Sequence, residues 1–187
     1  AQLLDSKSRN IFHQRFLPLT GCKADSVFSG ILKTLFNSED LQRLKVVHLK
    51  GGTGELALRL GEHEPFGLIN IGDAAKFAGE CDDKSEFDLE TDDFGKSLFH
   101  SINERDSRLH ILIGSRKFTE GWSSWRVSTM GLMNMGRGEG TQIIQLFGRG
   151  VRLKGVDYSL KRSRSSERPV GSHLQLLETL NIFGIRA

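Results

Sequence analysis

The chain has 187 residues, 37% of them hydrophobic and 26% charged, with a formal net charge of +3 at neutral pH. That length suits one well-packed α/β domain and is short for two, and no apolar run approaches the roughly 18 residues of a membrane-spanning helix, so nothing suggests a membrane protein. Cys22 and Cys81 lie far apart without Cys-x-x-Cys spacing, so neither a zinc site nor a disulfide framework is expected, and a reducing cytoplasm fits.

The N-terminus, Ala1-Gln2-Leu3-Leu4-Asp5, has no initiator Met, basic n-region or long apolar core. It is not a signal peptide and reads as the start of a segment of a longer chain. Ala1 to Gly21 mixes polar residues with Phe12, Phe16 and Leu17, and Pro18 interrupts any helix, so a connector is expected. Val27, Phe28, Ile31, Leu32, Leu35 and Phe36 then recur at helical spacing. They predict an amphipathic helix of about three turns, capped by Asp25 or Ser26 and ending near Asn37. Its aromatics fit core packing better than a base-stacking platform. Ser38 to Leu44 is expected to continue as a short second helix.

Lys45 to Leu49 and Leu56 to Leu60 predict a hairpin around Gly51-Gly52-Thr53-Gly54. Those glycines do not make a phosphate loop, because no Gly-Lys-Ser/Thr follows and both flanks are strands. Phe66 to Ile71 predicts a strand feeding a helix from Ala74, with Asp73 as its cap. Asp73 at a strand end also resembles a metal-binding position, but Ala74 stands where a second carboxylate would be needed. Glu80 to Asp93 carries seven Asp and Glu residues besides Glu80 against Lys84 alone, and reads as a mobile surface loop. It runs into Gly95-Lys96-Ser97, a decoy for the tail of a phosphate loop. Glu90 stands where the first glycine belongs, no apolar strand precedes it, and the neighbouring carboxylates would repel a triphosphate. Phe94 to Ile102 is instead expected to be a helix with Leu98 and Phe99 inward.

Leu109 to Ile113 and Val127 to Met133 are apolar runs of the kind buried in parallel sheets, each followed by a loop rich in unusual residues. The first loop is Ser115-Arg116-Lys117-Phe118-Thr119-Glu120-Gly121-Trp122. After the second come glycines from Arg137 to Gly140, a candidate N-cap at Thr141, and Gln145-Leu146-Phe147-Gly148-Arg149-Gly150-Val151-Arg152. On a helix Gln145, Arg149 and Arg152 share one stripe, while Ile143, Phe147 and Val151 populate another face. Such a helix buries one side and aims an amide and two guanidiniums at something anionic. The basic run from Lys154 to Arg168, with Lys161, Arg162 and Arg164, reads either as a phosphate-facing surface or as a solvated loop. A short Leu-rich segment at Leu174 to Leu177 and a final strand from Thr179 to Ile185 complete the chain.

Gln-x-x-Gly-Arg-x-x-Arg resembles motif VI of the superfamily 2 helicases and translocases, and Ser115 to Trp122 behind its apolar strand resembles their motif V. The wording of Phe118 to Trp122 and of Asn70-Ile71-Gly72-Asp73 is most similar to the restriction subunits of type III-like systems. The resemblance covers Lys45 to Ala187, which it implies is a helicase C-terminal, RecA-like α/β domain. It further implies a largely parallel sheet flanked by helices, with a hairpin and helical insertion before the core, behind a connector and helix over 1–44.

By the same resemblance the chain is one half of an ATP-dependent DNA helicase or translocase. Arg149, Arg152 and Gln145 act on ATP across a cleft from a preceding RecA-like domain. Glu120, Gly121 and Gly148 lie by the nucleotide, and Ser115, Lys117, Thr119 and Trp122 contact nucleic acid. Guanidiniums suit this chemistry because phosphoryl transfer needs charge stabilisation more than covalent help. Trp122 and Trp125 serve either as stacking faces or as buried anchors of the loop. No phosphate loop and no magnesium-holding acid pair occurs in the chain, so ATP and Mg2+ would depend on the preceding domain, and the isolated chain is expected to be inactive. A modification methylase subunit is a further implied partner. An RNA helicase domain and a non-hydrolysing nucleic-acid-binding module are the alternatives.

Overall fold

The computed structural model describes residues 16–82, 86–114, 123–133, 144–148, 156–159, 161–164 and 167–185. In chain order these form α1 (Ala24–Leu35), β1 (Leu44–Gly51), β2 (Glu55–Leu60), β3 (Gly67–Asn70), α2 (Ala74–Asp82), β4 (Asp88–Lys96), a 3-10 turn (Phe99–Asn103), β5 (Ile111–Gly114) and β6 (Thr129–Met133). Helix α3 over residues 144–148, helix α4 (Leu174–Leu177) and β7 (Asn181–Ile185) follow.

The predicted hairpin forms, with Val47 opposite Ala57 and Leu49 opposite Glu55. It lies at the centre of a five-stranded sheet ordered β4-β1-β2-β3-β5 rather than in front of the core. β2 is antiparallel to both β1 and β3, whereas β1–β4 and β3–β5 are parallel. The class is α/β, but the sheet is mixed and not largely parallel. The turn at Gly51 to Gly54 is too short for a crossover, so the chain can only return antiparallel. Gly54 sits at φ +72°, and a Cβ there would lie 2.3 Å from the Ile71 carbonyl oxygen, so the tight approach of turn to β3 requires glycine.

One sheet face carries Val46, Leu56, Leu58, Leu60 and Ile69, covered by Leu32 of α1 and by Ala74 and Ala78 of α2. Phe36 packs edge-on to Phe66, with ring centroids 4.9 Å apart. The expected apolar stripe of α1 is only partly used, because Phe28 and Ile31 are exposed. Its N-cap is Lys23 without a side-chain bond, not Asp25 or Ser26. No second helix follows α1. Asn37 adopts φ +54°, and its Nδ2 donates to the Pro65 and Arg108 carbonyls at 3.0 and 3.1 Å, turning the chain into β1. The β3-to-α2 junction matches expectation: Asp73 Oδ1 accepts from the Lys76 amide at 2.9 Å.

The opposite face is organised by a buried carboxylate. Glu55 is 1% exposed. It accepts from Ser97 Oγ at 2.6 Å, the Leu98 amide at 2.8 Å and the Phe99 amide at 3.4 Å. These bonds pin the start of the 3-10 turn, so Leu98, Phe99 and Ile102 pack down on Val47, Ala57, Leu68 and Leu109. The helix expected over Phe94 to Ile102 is therefore a strand end followed by a short turn. Ser97, part of the phosphate-loop decoy, has a structural partner in Glu55.

The acidic stretch is not a loop throughout. Asp88 to Lys96 is β4, parallel to β1. Arg43 pairs with Asp88 at 2.8 Å, Lys45 with Glu90 at 2.5 Å and Lys50 with Asp93 at 2.6 Å. Glu90 also pairs with Arg59, and Lys45 with Glu62. Leu89 packs on the α1 and α2 side. The basic row of β1 thus neutralises carboxylates that alone would repel one another.

β5 is an edge strand, so Ile111 and Leu112 are half-buried and Ile113 is exposed, in place of the two-faced burial expected. β6 does not join this sheet. It pairs in parallel with β7, the predicted final strand, in a sheet of two.

Two expectations follow for stability. The Lys45 side-chain bond foremost, then that of Arg59, holds the Glu90 carboxyl below the usual carboxylate range, while bonds from Glu62 and Glu90 raise Lys45. A depressed carboxylate contributes stability above its unfolded value and loses it as pH falls through the folded value; the raised lysine contributes below its unfolded value and loses it in strong base. Glu90→Gln should therefore lower Tm at neutral pH by roughly 2–5 °C, a modest effect because the cluster is partly solvated, with the difference closing towards pH 3. Melting curves across pH check this. Glu55→Ala should cost on the order of 2–4 kcal/mol in denaturant unfolding, since three part-buried donors lose their acceptor, against about 1 kcal/mol for Ser97→Ala.

Candidate functional site

The predicted site residues fall into two groups. Ser115, Lys117, Thr119, Glu120, Gly121 and Trp122, together with Arg149 and Arg152, lie outside the described residues. Gln145 and Gly148 lie on α3, where both are exposed, and a Cβ on Gly148 would meet nothing within 4 Å. The helical expectation for the start of the Gln145 motif holds, with Gln145 on its exposed side. Leu146 and Phe147 are half-buried on the same helix.

The first predicted loop leaves directly from the carboxyl end of β5, whose last residue, Gly114, pairs with Asn70 at the carboxyl end of β3. Two parallel strands thus end side by side, one running into Ile71-Gly72-Asp73 and the other into Ser115. Convergent strand ends of this kind are where α/β sheets present ligand-binding loops. Asn70 is 4% exposed, stands opposite Glu55, and its Nδ2 has no hydrogen-bond partner among the described residues. That unpaired buried donor marks the end of β3 as a polar point within an otherwise apolar sheet.

Behind the loop the chain is tied down at Arg126. Its Nη1 donates to the Ile102 carbonyl at 2.6 Å and its Nη2 to the Ser107 carbonyl at 3.1 Å. Asn103 Nδ2 donates to the Ser123 carbonyl at 2.8 Å. Sequence reasoning missed this clamp, because no motif surrounds Arg126. Trp125 beside it is 49% exposed, so it is not a buried anchor. It offers an accessible indole face next to the predicted nucleic-acid loop.

The basic run divides into two roles. Lys161, Arg162 and Arg164 are exposed. Arg168 is not a phosphate-facing group, because its guanidinium is engaged internally: Nη2 meets Glu178 Oε2 at 3.1 Å and the Ser163 carbonyl at 3.0 Å, and Nε donates to Ser163 Oγ at 3.0 Å. Glu178 Oε1 in turn accepts from the Ser163 amide at 3.0 Å. Bonding to Ser163 first, then Arg168, holds the Glu178 carboxyl below the usual range. A concavity of about 580 Å³ over Val47, Ala57, Arg59, Glu90 and Phe94 includes none of the predicted site residues.

Among the described residues no group of three or more His, Cys, Asp or Glu side chains is arranged to hold a metal ion, and no helix is long and apolar enough to cross a membrane. The chain matches no protein-family model, no curated protein and no solved structure.

Proposed function

We propose that this chain is the second RecA-like domain of an ATP-dependent DNA helicase or translocase of superfamily 2, in a type III-like restriction system. The observation that carries the reading is the junction at Gly114. The segment Ser115 to Trp122 begins where two parallel strands end together, with Asn70 to Asp73 emerging beside it. The exposed Gln145 and Gly148 on α3 are the second support, since they leave the amide of the Gln-x-x-Gly-Arg-x-x-Arg motif facing outward.

In this reading Thr119, Glu120 and Gly121 contact a sugar-phosphate chain and the nucleotide, with Ser115, Lys117 and Trp122 adding contacts to nucleic acid. Gln145 orients a water or γ-phosphate oxygen, and Gly148 keeps the backbone open to the nucleotide. Arg149 and Arg152 stabilise charge that develops in phosphoryl transfer. ATP supplies the phosphoanhydride bond and Mg2+ its charge neutralisation; both are held chiefly by a preceding RecA-like domain. The donors this chain offers, an exposed amide and two guanidiniums, suit an anion and not a metal. A modification methylase subunit is the partner expected of such a system.

The test uses the protein in which this chain follows a phosphate-loop domain. Arg149→Lys or Arg152→Lys keeps the charge but loses the planar fork, so kcat should fall roughly a thousandfold while nucleotide affinity changes little. Melting temperature should stay constant. If the arginines only pair with neighbouring acids, the Lys variants would be mild and Arg149→Ala would lower Tm with activity. Full ATPase activity in both Lys variants overturns the finger assignment. The 187-residue chain alone should hydrolyse no ATP above buffer; steady turnover abolished by Arg149→Ala would contradict the two-domain site.

A further inference from the structure

The nucleic-acid side of the reading above can be extended to a second, separate contact. Four exposed residues stand close in sequence after the Gln145 motif: Tyr158, which is 75% exposed, and Lys161, Arg162 and Arg164. None of the three cations forms an ion pair within the described residues, whereas Arg43, Lys45, Lys50, Arg59, Arg108 and Arg168 all do. Tyr158 and Asp157 both hold left-handed backbone, at φ +59° and +56°. That conformation is uncommon for a tyrosine and costs on the order of 1 kcal/mol, so it is kept only where the surroundings impose it.

The stretch is braced from one side. Ser163, between the cations, is gripped through its amide, carbonyl and hydroxyl by Glu178 and Arg168. The Arg164 amide donates to Glu167 at 2.7 Å, and the Lys161 amide to Ser159 Oγ at 3.2 Å. Glu178 is the C-cap of α4, just ahead of β7, where the Asn181 amide donates to the Ser128 carbonyl at 2.9 Å. Bonding of this kind fixes a backbone while leaving long cationic side chains directed to solvent.

We propose that Tyr158, Lys161, Arg162 and Arg164 form a contact for single-stranded nucleic acid, held in shape by the Arg168–Glu178 pair. The cations meet successive phosphates and the phenol ring takes an unstacked base. A single strand is favoured over a duplex because an exposed ring can stack only on a base that is not already stacked.

Binding of the 187-residue chain to a labelled oligothymidylate, followed by anisotropy from 50 to 300 mM salt, tests this. The triple variant Lys161→Ala, Arg162→Ala, Arg164→Ala should bind at least tenfold more weakly, with the salt slope reduced by about 2. Tyr158→Ala should lose roughly tenfold and Tyr158→Phe little. Glu178→Gln makes the chain more positive, so a merely electrostatic surface would bind equally or better. The braced contact predicts weaker binding despite the added charge. Lys117→Ala with Thr119→Ala serves as the separate arm. If that pair weakens binding and the triple variant does not, the Tyr158 contact is overturned while the motif V reading stands. If duplex binds as tightly as single strand and Tyr158→Ala is silent, the single-strand assignment is overturned. Absence of any binding overturns this contact together with the nucleic-acid half of the proposed function, and leaves the arginine test on ATP turnover to be decided independently.

Discussion

A buried carboxylate, with no cation partner among the described residues, holds the second face of the sheet in place. Glu55 is buried at the start of β2 and accepts from Ser97 Oγ and two successive amides. A buried charge costs several kcal/mol unless its lone pairs are filled, and here three donors from one short segment fill them. The consequence is geometric. The segment after β4 cannot swing away, so Leu98 and Ile102 stay over Val47 and Leu68, and the chain enters β5 beside β3. The close ending of β3 and β5, where the candidate site lies, is thus supported by a bond network made at the start of β2, directly opposite Asn70.

The same logic explains why the sheet is mixed. The glycine turn forces β2 back against β1, and β3 then returns beside β2, so the parallel pairs can form only outside this antiparallel core. β4 meets β1 and the residue before it with opposite charge on neighbouring positions. Arg43, Lys45 and Lys50 pair with Asp88, Glu90 and Asp93, and Leu89, opposite Val46, supplies an apolar anchor. Charge on β4, at the edge of the sheet, also discourages a further strand from adding there.

What was legible in the sequence was local. The hairpin, the strand into Asp73 and its capped helix, and the final strand each depend on residues close in sequence, whose spacing and turn chemistry are visible directly. β4 was not legible, because the carboxylates of Asp88 to Asp93 look like a solvated loop until the basic row of β1 is set beside them. The turn after Ser97 failed for a similar reason: Phe94 to Ile102 has helical spacing, but its start belongs to β4 and a carboxylate from β2 captures the Leu98 and Phe99 amides. α1 shows the reverse error, since its periodicity promised a fully buried stripe and Phe28 and Ile31 remain exposed. Of the candidate site, the helix at the start of the Gln145 motif was legible from spacing, whereas the pairing that ends β3 beside β5 was not, because it joins strands distant in sequence. The Arg126 clamp and the Arg168–Glu178 pair were not, because each joins segments with no shared pattern.

These pairs separate arginines that build the domain from arginines free to act on something else. In sequence Arg168 belongs to one basic run with Lys161, Arg162 and Arg164, and nothing distinguishes them. In the fold, Arg168 has an acid and two oxygens of Ser163 around it, and its charge is cancelled where it stands. Arg59 and Arg43 are likewise neutralised by Glu90 and Asp88. A formal charge of +3 therefore understates how positive one stretch of surface is. Asp88, Glu90 and Asp93 pair within the sheet, while the side chains of Lys161, Arg162 and Arg164 form no ion pair among the described residues. Such an uneven field attracts a polyanion to one region even when the whole chain is nearly neutral. An internal arginine that shapes the loop carrying those cations contributes to binding without touching the ligand.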